Sequence, residues 1–226
     1  MLFPHRTVAS PVAVVLLLCA AVGAASAANV SGFRSAKFGD KEAAVRTAAA
    51  VDLGVKSDAL EASSNPITGV KTILAKMPDF APLYVPATVA YSLGSTCQCL
   101  IEVTIRWQIP ESDPRRAQAL GGATALVDKF VKEGWDKDHM VLNQVVGEAK
   151  PDVDLTLMLF RGQQGKSAIT MLSGPVRISG PAEAAKADGA SGQNMSIKLD
   201  GITTVVLVYD ADLEKPDVGR ADVGNF

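Results

Sequence analysis

Residues 84–108, YVPATVAYSLGSTCQCLIEVTIRWQ, decide the fold class. Val85, Ala87, Val89, Tyr91 and Leu93 recur at every second position, and Gly94-Ser95-Thr96 then interrupts the run. A second alternation sets Cys97, Cys99, Ile101, Val103, Ile105 and Trp107 on one face, against Gln98, Glu102, Thr104, Arg106 and Gln108 on the other. Side chains of a strand point to alternate faces, so a period of two marks a sheet buried on one side. Two such runs joined by a turn predict neighbouring antiparallel strands.

Outward from this pair, strands are expected at 70–76 on the N-terminal side and at 141–146, 153–160, 167–172 and 195–209 beyond it, the last with Gly201 as a bulge. Gly162-Gln163-Gln164-Gly165 reads as the turn between two of them. Two segments carry helical spacing instead. Asp40 is placed to cap a helix over 41–53, with Val45, Ala48 and Ala49 on one stripe and Gly54 as its stop. Asp113-Pro114 starts a second, with Leu120, Ala123, Val127, Phe130 and Val131 as the buried stripe and Gly134 as its end. Residues 63–66 read as loop, 173–193 as a mobile loop and 211–226 as a flexible tail. The expectation is an α+β protein of two helix-βββ units, 29–109 and 110–210. Their helices pack on antiparallel sheet, around one shared core or as two small subdomains.

The chain begins with Arg6, an apolar run from Val12 to Ala25, and the small residues Ala24-Ala25-Ser26-Ala27-Ala28. A cationic start, a short apolar helix and a small-x-small site make up a secretory signal peptide over 1–28, cleaved after Ala27 or Ala28. The run is marginal for a membrane span and no cationic cluster follows it. Cys19 follows Leu18, where lipoprotein processing needs a small residue. The expected address is therefore periplasmic or secreted, with no stable membrane span after cleavage.

The full chain of 226 residues carries 22 Lys+Arg, 24 Asp+Glu and 2 His, a formal net charge of −2. Shedding 1–28 removes one firm charge, Arg6, and leaves about 200 residues, enough for one sizeable domain. The balance gives no electrostatic footprint for nucleic acid. His139 is then the one remaining histidine, which argues against imidazole-based metallohydrolase and Ser-His-Asp chemistry. It sits in Asp136-Lys137-Asp138-His139 and reads as a solvated residue.

Cys97-Gln98-Cys99 is the most chemical-looking feature. In an oxidising compartment the two cysteines have three readings: a disulfide, buried free thiols, or a metal or redox pair that includes Cu(I) binding. On a regular strand their Cα atoms would lie about 6.5–7 Å apart, the far edge of disulfide reach. Gly162-Gln163-Gln164-Gly165-Lys166-Ser167 superficially suggests a phosphate loop. Phe160 stands where the first glycine is required, and the segment joins strands, so it reads as a hairpin turn. Glu102, Asp152 and Asp154 sit at polar positions and read as solvated. Arg106 and Arg161, flanked by Trp107 and Phe160, are candidate anchors for a partner.

Phe38-Gly39-Asp40-Lys41-Glu42-Ala43-Ala44-Val45-Arg46 resembles the entry segment of SmpA/OmlA (BamE)-like domains. Gly32-Phe33-Arg34-Ser35-Ala36-Lys37 looks like the start of uncharacterised exported proteins of proteobacteria. The doubled helix-βββ order is similar to the β-lactamase-inhibitor-protein architecture. The motif covers about residues 32–53. The resemblance implies a periplasmic module that binds other proteins without catalysis, and it carries over no functional residues. The sequence thus predicts an exported binding or assembly factor with no cofactor, whose partner is another exported or envelope protein. The alternative is a small-ligand or Cu(I)-binding protein that uses Cys97 and Cys99.

Overall fold

The computed structural model describes residues 30–146, 154–179, 196–198 and 201–218. The expected signal peptide (with Cys19, Ala27 and Ala28), Asp152, residues 180–193 of the expected loop and 219–226 of the expected tail lie outside the described residues.

A small ribbon of β1 (Gly32–Phe33) and β2 (Ala36–Lys37) leads into α1 (Glu42–Leu53). There follow β3 (Glu61–Ser64), β4 (Lys71–Phe80), β5 (Val85–Leu93) and β6 (Leu100–Gln108). After α2 (Arg116–Val131) come β7 (Val141–Val146), β8 (Leu155–Gln164), β9 (Ser167–Ser179), β10 (Ser196–Lys198) and β11 (Thr204–Asp210). The main sheet is antiparallel with order β3-β4-β5-β6-β11-β9-β8-β7, and β10 pairs with β9.

This corrects the expected helix-βββ α+β fold. Among the described residues there is one large antiparallel sheet, one two-stranded ribbon and two α-helices, so the protein is far richer in strand. The difference has local causes. β3 carries four exposed residues, Glu61 to Ser64, and so has no apolar alternation to betray it. β8 and β9 run on past the expected ends, to Gln164 and Ser179. The expected single strand at 195–209 is two, β10 and β11, with Gly201 in the turn between them.

β11 sits between β6 and β9 and aligns four strands in register. Tyr91, Val103, Tyr209 and Ile169 form one row; Val89, Ile105, Leu207 and Met171 the next; Ala87, Trp107, Val205 and Ser173 a third. Apart from Tyr209, which is half-buried, these residues are buried. The opposite face carries Ser92, Glu102, Asp210, Thr88, Arg106 and Val206, all half-buried or exposed. One core therefore lies on one side of the sheet.

The helices differ from expectation at their starts. Lys41 occupies the N-cap of α1, because the Asp40 carboxylate accepts the Lys37 N–H at 2.8 Å instead. α1 buries Val45, Ala49 and Leu53, and Gly54 ends it at φ 65°, a left-handed geometry that glycine adopts without steric cost. α2 begins at Arg116, after the Asp113 carboxylate has accepted the Arg115 N–H at 2.8 Å. Ala119, Ala123 and Phe130 are its buried residues, and Val131 is 38% exposed. Phe130 meets Phe160 of β8 at 5.3 Å between ring centres, and Trp135 meets Phe160 edge-on at 5.4 Å. Truncating a buried aromatic such as Phe160 to alanine costs about 3–5 kcal/mol.

Candidate functional site

The helix-covered face of the sheet is not filled throughout. A chamber of about 480 Å3 lies between the sheet, α2, the β1–β2 turn and the end of β4. Its floor is Ile105 and Trp107 of β6 with Leu207 and Tyr209 of β11; α2 adds Ala125, Leu126 and Lys129. Phe33, Arg34, Phe80 and Pro82 close the sides. The size falls within the range of small-molecule sites.

The lining residues brace one another, and the last turn of α1 ties the ribbon down from outside. The Trp107 indole N–H donates to the Phe80 carbonyl at 3.0 Å, which fixes the ring on the floor. Phe33 packs on Tyr209 at 5.4 Å. The Arg34 guanidinium lies over both Phe33 and Phe80, at 5.3 and 5.1 Å from the ring centres, a cation–π arrangement. It also donates to the Asp52 carbonyl. Ser35 donates through its N–H and its hydroxyl to the Asp52 carboxylate, at 2.9 and 2.7 Å, tying the ribbon to the last turn of α1. Burial, seconded by the Glu133 carboxylate and opposed by Arg34, pushes the Tyr209 hydroxyl up to about 12, so it stays neutral. Arg34 and Lys129 are the charged residues among those lining the chamber; the rest are apolar or aromatic. An apolar body with a cationic rim favours an amphipathic anion.

The sequence-predicted residues lie elsewhere. Cys97 and Cys99 are in the turn between β5 and β6, joined by a disulfide with S–S 2.05 Å and Cα–Cα 5.1 Å. Their expected placement on the strand face is corrected: β6 begins at Leu100, and the β5–β6 register shifts between Ser92 and Leu93. Gln98 at φ 49° turns the chain, which brings the two cysteines closer than a regular strand would. Bonded to each other, the sulfurs are not the thiolates that Cu(I) requires.

Over residues 211–218 the expected tail is corrected too. Asp217 accepts the Cys97 N–H at 2.7 Å, the Thr96 N–H at 3.1 Å and the Ser95 hydroxyl at 3.2 Å, and the Ser95 N–H donates to its carbonyl at 3.0 Å. The Cys97 N–H above all, with the Thr96 and Ser95 donors, holds this carboxyl below its ordinary range. Nothing in residues 211–218 signals this role, because the partner turn lies 120 positions away in the chain.

His139 is exposed on a short 3-10 turn, Lys137–His139. Glu102 stands on the open sheet face, directly across from Asp210, and accepts the Thr104 hydroxyl at 2.9 Å. Asp154 and Arg106 are exposed, and Arg161 is half-buried on β8. Gly162 belongs to β8, and the turn into β9 is Gly165-Lys166 alone. Among the described residues, no three His, Cys, Asp or Glu side chains are grouped to hold a metal ion, and no helix is long and apolar enough to cross a membrane. No protein-family model, curated protein sequence or solved structure matches the chain.

Proposed function

We propose that the protein is an exported, non-catalytic binding protein that holds a small amphipathic anion in the chamber beneath α2. The observation that supports this reading is the chamber itself: an opening of about 480 Å3 over Trp107 and Tyr209, rimmed by Arg34 and Lys129. An apolar tail gains contact with the floor, and the two cations receive the head group. Anilinonaphthalene sulfonate and dodecanoate are the probes, with Trp107 fluorescence as the signal in a Trp135→Phe background. Binding is expected, and Ala125→Phe, which fills the space from α2, weakens it at least tenfold with the circular dichroism spectrum unchanged. Equal affinity in both proteins refutes the assignment.

A second reading is favoured by β7. This strand pairs with β8 alone among the described residues, and its Leu142 and Val146 are 41% and 43% exposed. An extended segment of another exported protein would add there as a further strand, as in β-augmentation. Gln144→Pro, which breaks the ladder while sparing the chamber, abolishes such docking; a captured partner indifferent to it refutes this reading.

A further inference from the structure

We infer that the Cys97–Cys99 turn is a thiol–disulfide exchange site, whose reactants are the dithiols of other proteins or peptides. This activity is independent of the chamber.

The disulfide contributes little to holding the fold. It closes a loop with Gln98 as the one residue between its cysteines, and the stabilisation from a cross-link grows with the length of the loop closed. The same turn is already fixed by other bonds. Asp217 takes the Cys97 N–H at 2.7 Å, Lys41 Nζ donates to the Cys97 carbonyl at 2.5 Å, and the Gly94 N–H donates to the Cys99 carbonyl at 2.9 Å. Cys99 also forms a bridge with Lys41, and the Leu100 N–H donates to the Asp40 carbonyl at 2.8 Å. Opening the S–S bond therefore leaves both cysteines where they are, in position to close again.

The two sulfurs are not equivalent. The Cys99 N–H donates to Cys97 Sγ at 3.1 Å, so Cys97 is the sulfur prepared to carry the electron pair when the bond breaks, with the Lys41 ammonium on the adjoining carbonyl. The Asp217 carboxylate acts against that charge, and the Cys97, Thr96 and Ser95 donors keep it ionised. A substrate thiolate attacks Cys99 Sγ; the Cys97–Cys99 bond breaks, and Cys97 leaves as the thiolate. The substrate's second thiolate then attacks its own sulfur in the mixed disulfide, forming the substrate disulfide and expelling Cys99. Two electrons pass from the substrate dithiol to the protein, and the two thiol protons end on Cys97 and Cys99. Once protonated, Cys97 has the Cys99 carbonyl at 3.4 Å as an acceptor. Both cysteines are half-buried, which admits an extended peptide at the turn.

The test uses the full chain carrying Cys19→Ser. In mixtures of reduced and oxidised glutathione, alkylation and mass measurement should show reversible opening of Cys97–Cys99 with an unchanged far-UV spectrum. The protein should oxidise a reduced dithiol peptide in a single turnover at least tenfold faster than the same concentration of oxidised glutathione. A monothiol peptide, quenched with acid, should be found on Cys99 over Cys97 by at least fivefold. A disulfide that opens only as the protein unfolds, or a peptide oxidation rate that persists in Cys97→Ser/Cys99→Ser, overturns the inference. Equal adducts on both sulfurs overturn the assignment of Cys97 as the leaving group.

Discussion

Replacing Asp210 with asparagine should stabilise the protein at neutral pH and do little once the pH has fallen to 3.8. Asp210 is half-buried on the open sheet face, opposite Glu102 in the β6–β11 register. Burial first, and then the Glu102 carboxylate, push its pKa from 3.8 to about 6, against the pull of Arg161. The carboxylate is thus harder to hold charged in the folded chain than in the unfolded one. Above pH 6 both states are ionised and the folded state bears the whole cost. As pH falls through 6 towards 3.8 the folded state takes up a proton that the unfolded state does not, and stability rises. The full shift corresponds to about 3 kcal/mol. Screening at a site this open to solvent reduces it to about 1–2 kcal/mol. The rise is opposed at lower pH by Glu42, whose carboxyl is held below its ordinary 4.5 mainly by Lys71 and then by Arg46, and which loses that support on protonation. Urea unfolding of wild type and Asp210→Asn between pH 3.8 and pH 8 measures the difference. The variant should gain the 1–2 kcal/mol at pH 8, keep about half of that gain at pH 5, and converge on wild type only as the pH falls to 3.8. A difference that does not vary with pH refutes the reasoning.

The Tyr91 hydroxyl is fully buried and has no hydrogen-bond partner among the described residues, so Tyr91→Phe should be neutral or stabilising by up to about 1 kcal/mol; a loss of that size in thermal unfolding would mean the hydroxyl is satisfied. Gly162 lies where a Cβ would stand 2.4 Å from Trp135 Cδ2 and 2.7 Å from Phe160 Cζ. The Trp135 ring is pinned by its N–H bond to the Phe130 carbonyl at 2.6 Å, so Gly162→Ala should cost about 1–3 kcal/mol. An unshifted urea midpoint would show that the indole can move aside.

Legibility in the sequence followed burial. β5 and β6 show the alternation because one of their faces is sealed under helices, and Val85 to Leu93 are buried at every second position as that pattern requires. β3 was hidden because an exposed edge strand has no reason to alternate. The sheet order was hidden as well: the partners of β11 are β6 and β9, and nothing in a local pattern distinguishes these from its chain neighbours. The chamber draws on five segments from Phe33 to Tyr209, none of which announces a site when read alone. Arg34 and Lys129 acquire meaning only once α2 and the ribbon meet over the sheet. Cys97 and Cys99 were visible as chemistry, yet the turn that brings them together depends on Asp217.

The position of β11 bears on how the chain can be made. Thr204–Asp210 pairs with Gln108–Glu102 on one side and with Gly174–Ala168 on the other. During synthesis, the strands on each side emerge long before the one that joins them. Until then β6 and β9 each present an unsatisfied edge, and the row that will face Trp107 is missing. Contacts so distant in sequence close slowly and leave sticky intermediates. A nascent chain of this design stays prone to aggregation until β11 has emerged, and a stop codon ahead of Thr204 would leave the facing edges of β6 and β9 without the strand that joins them.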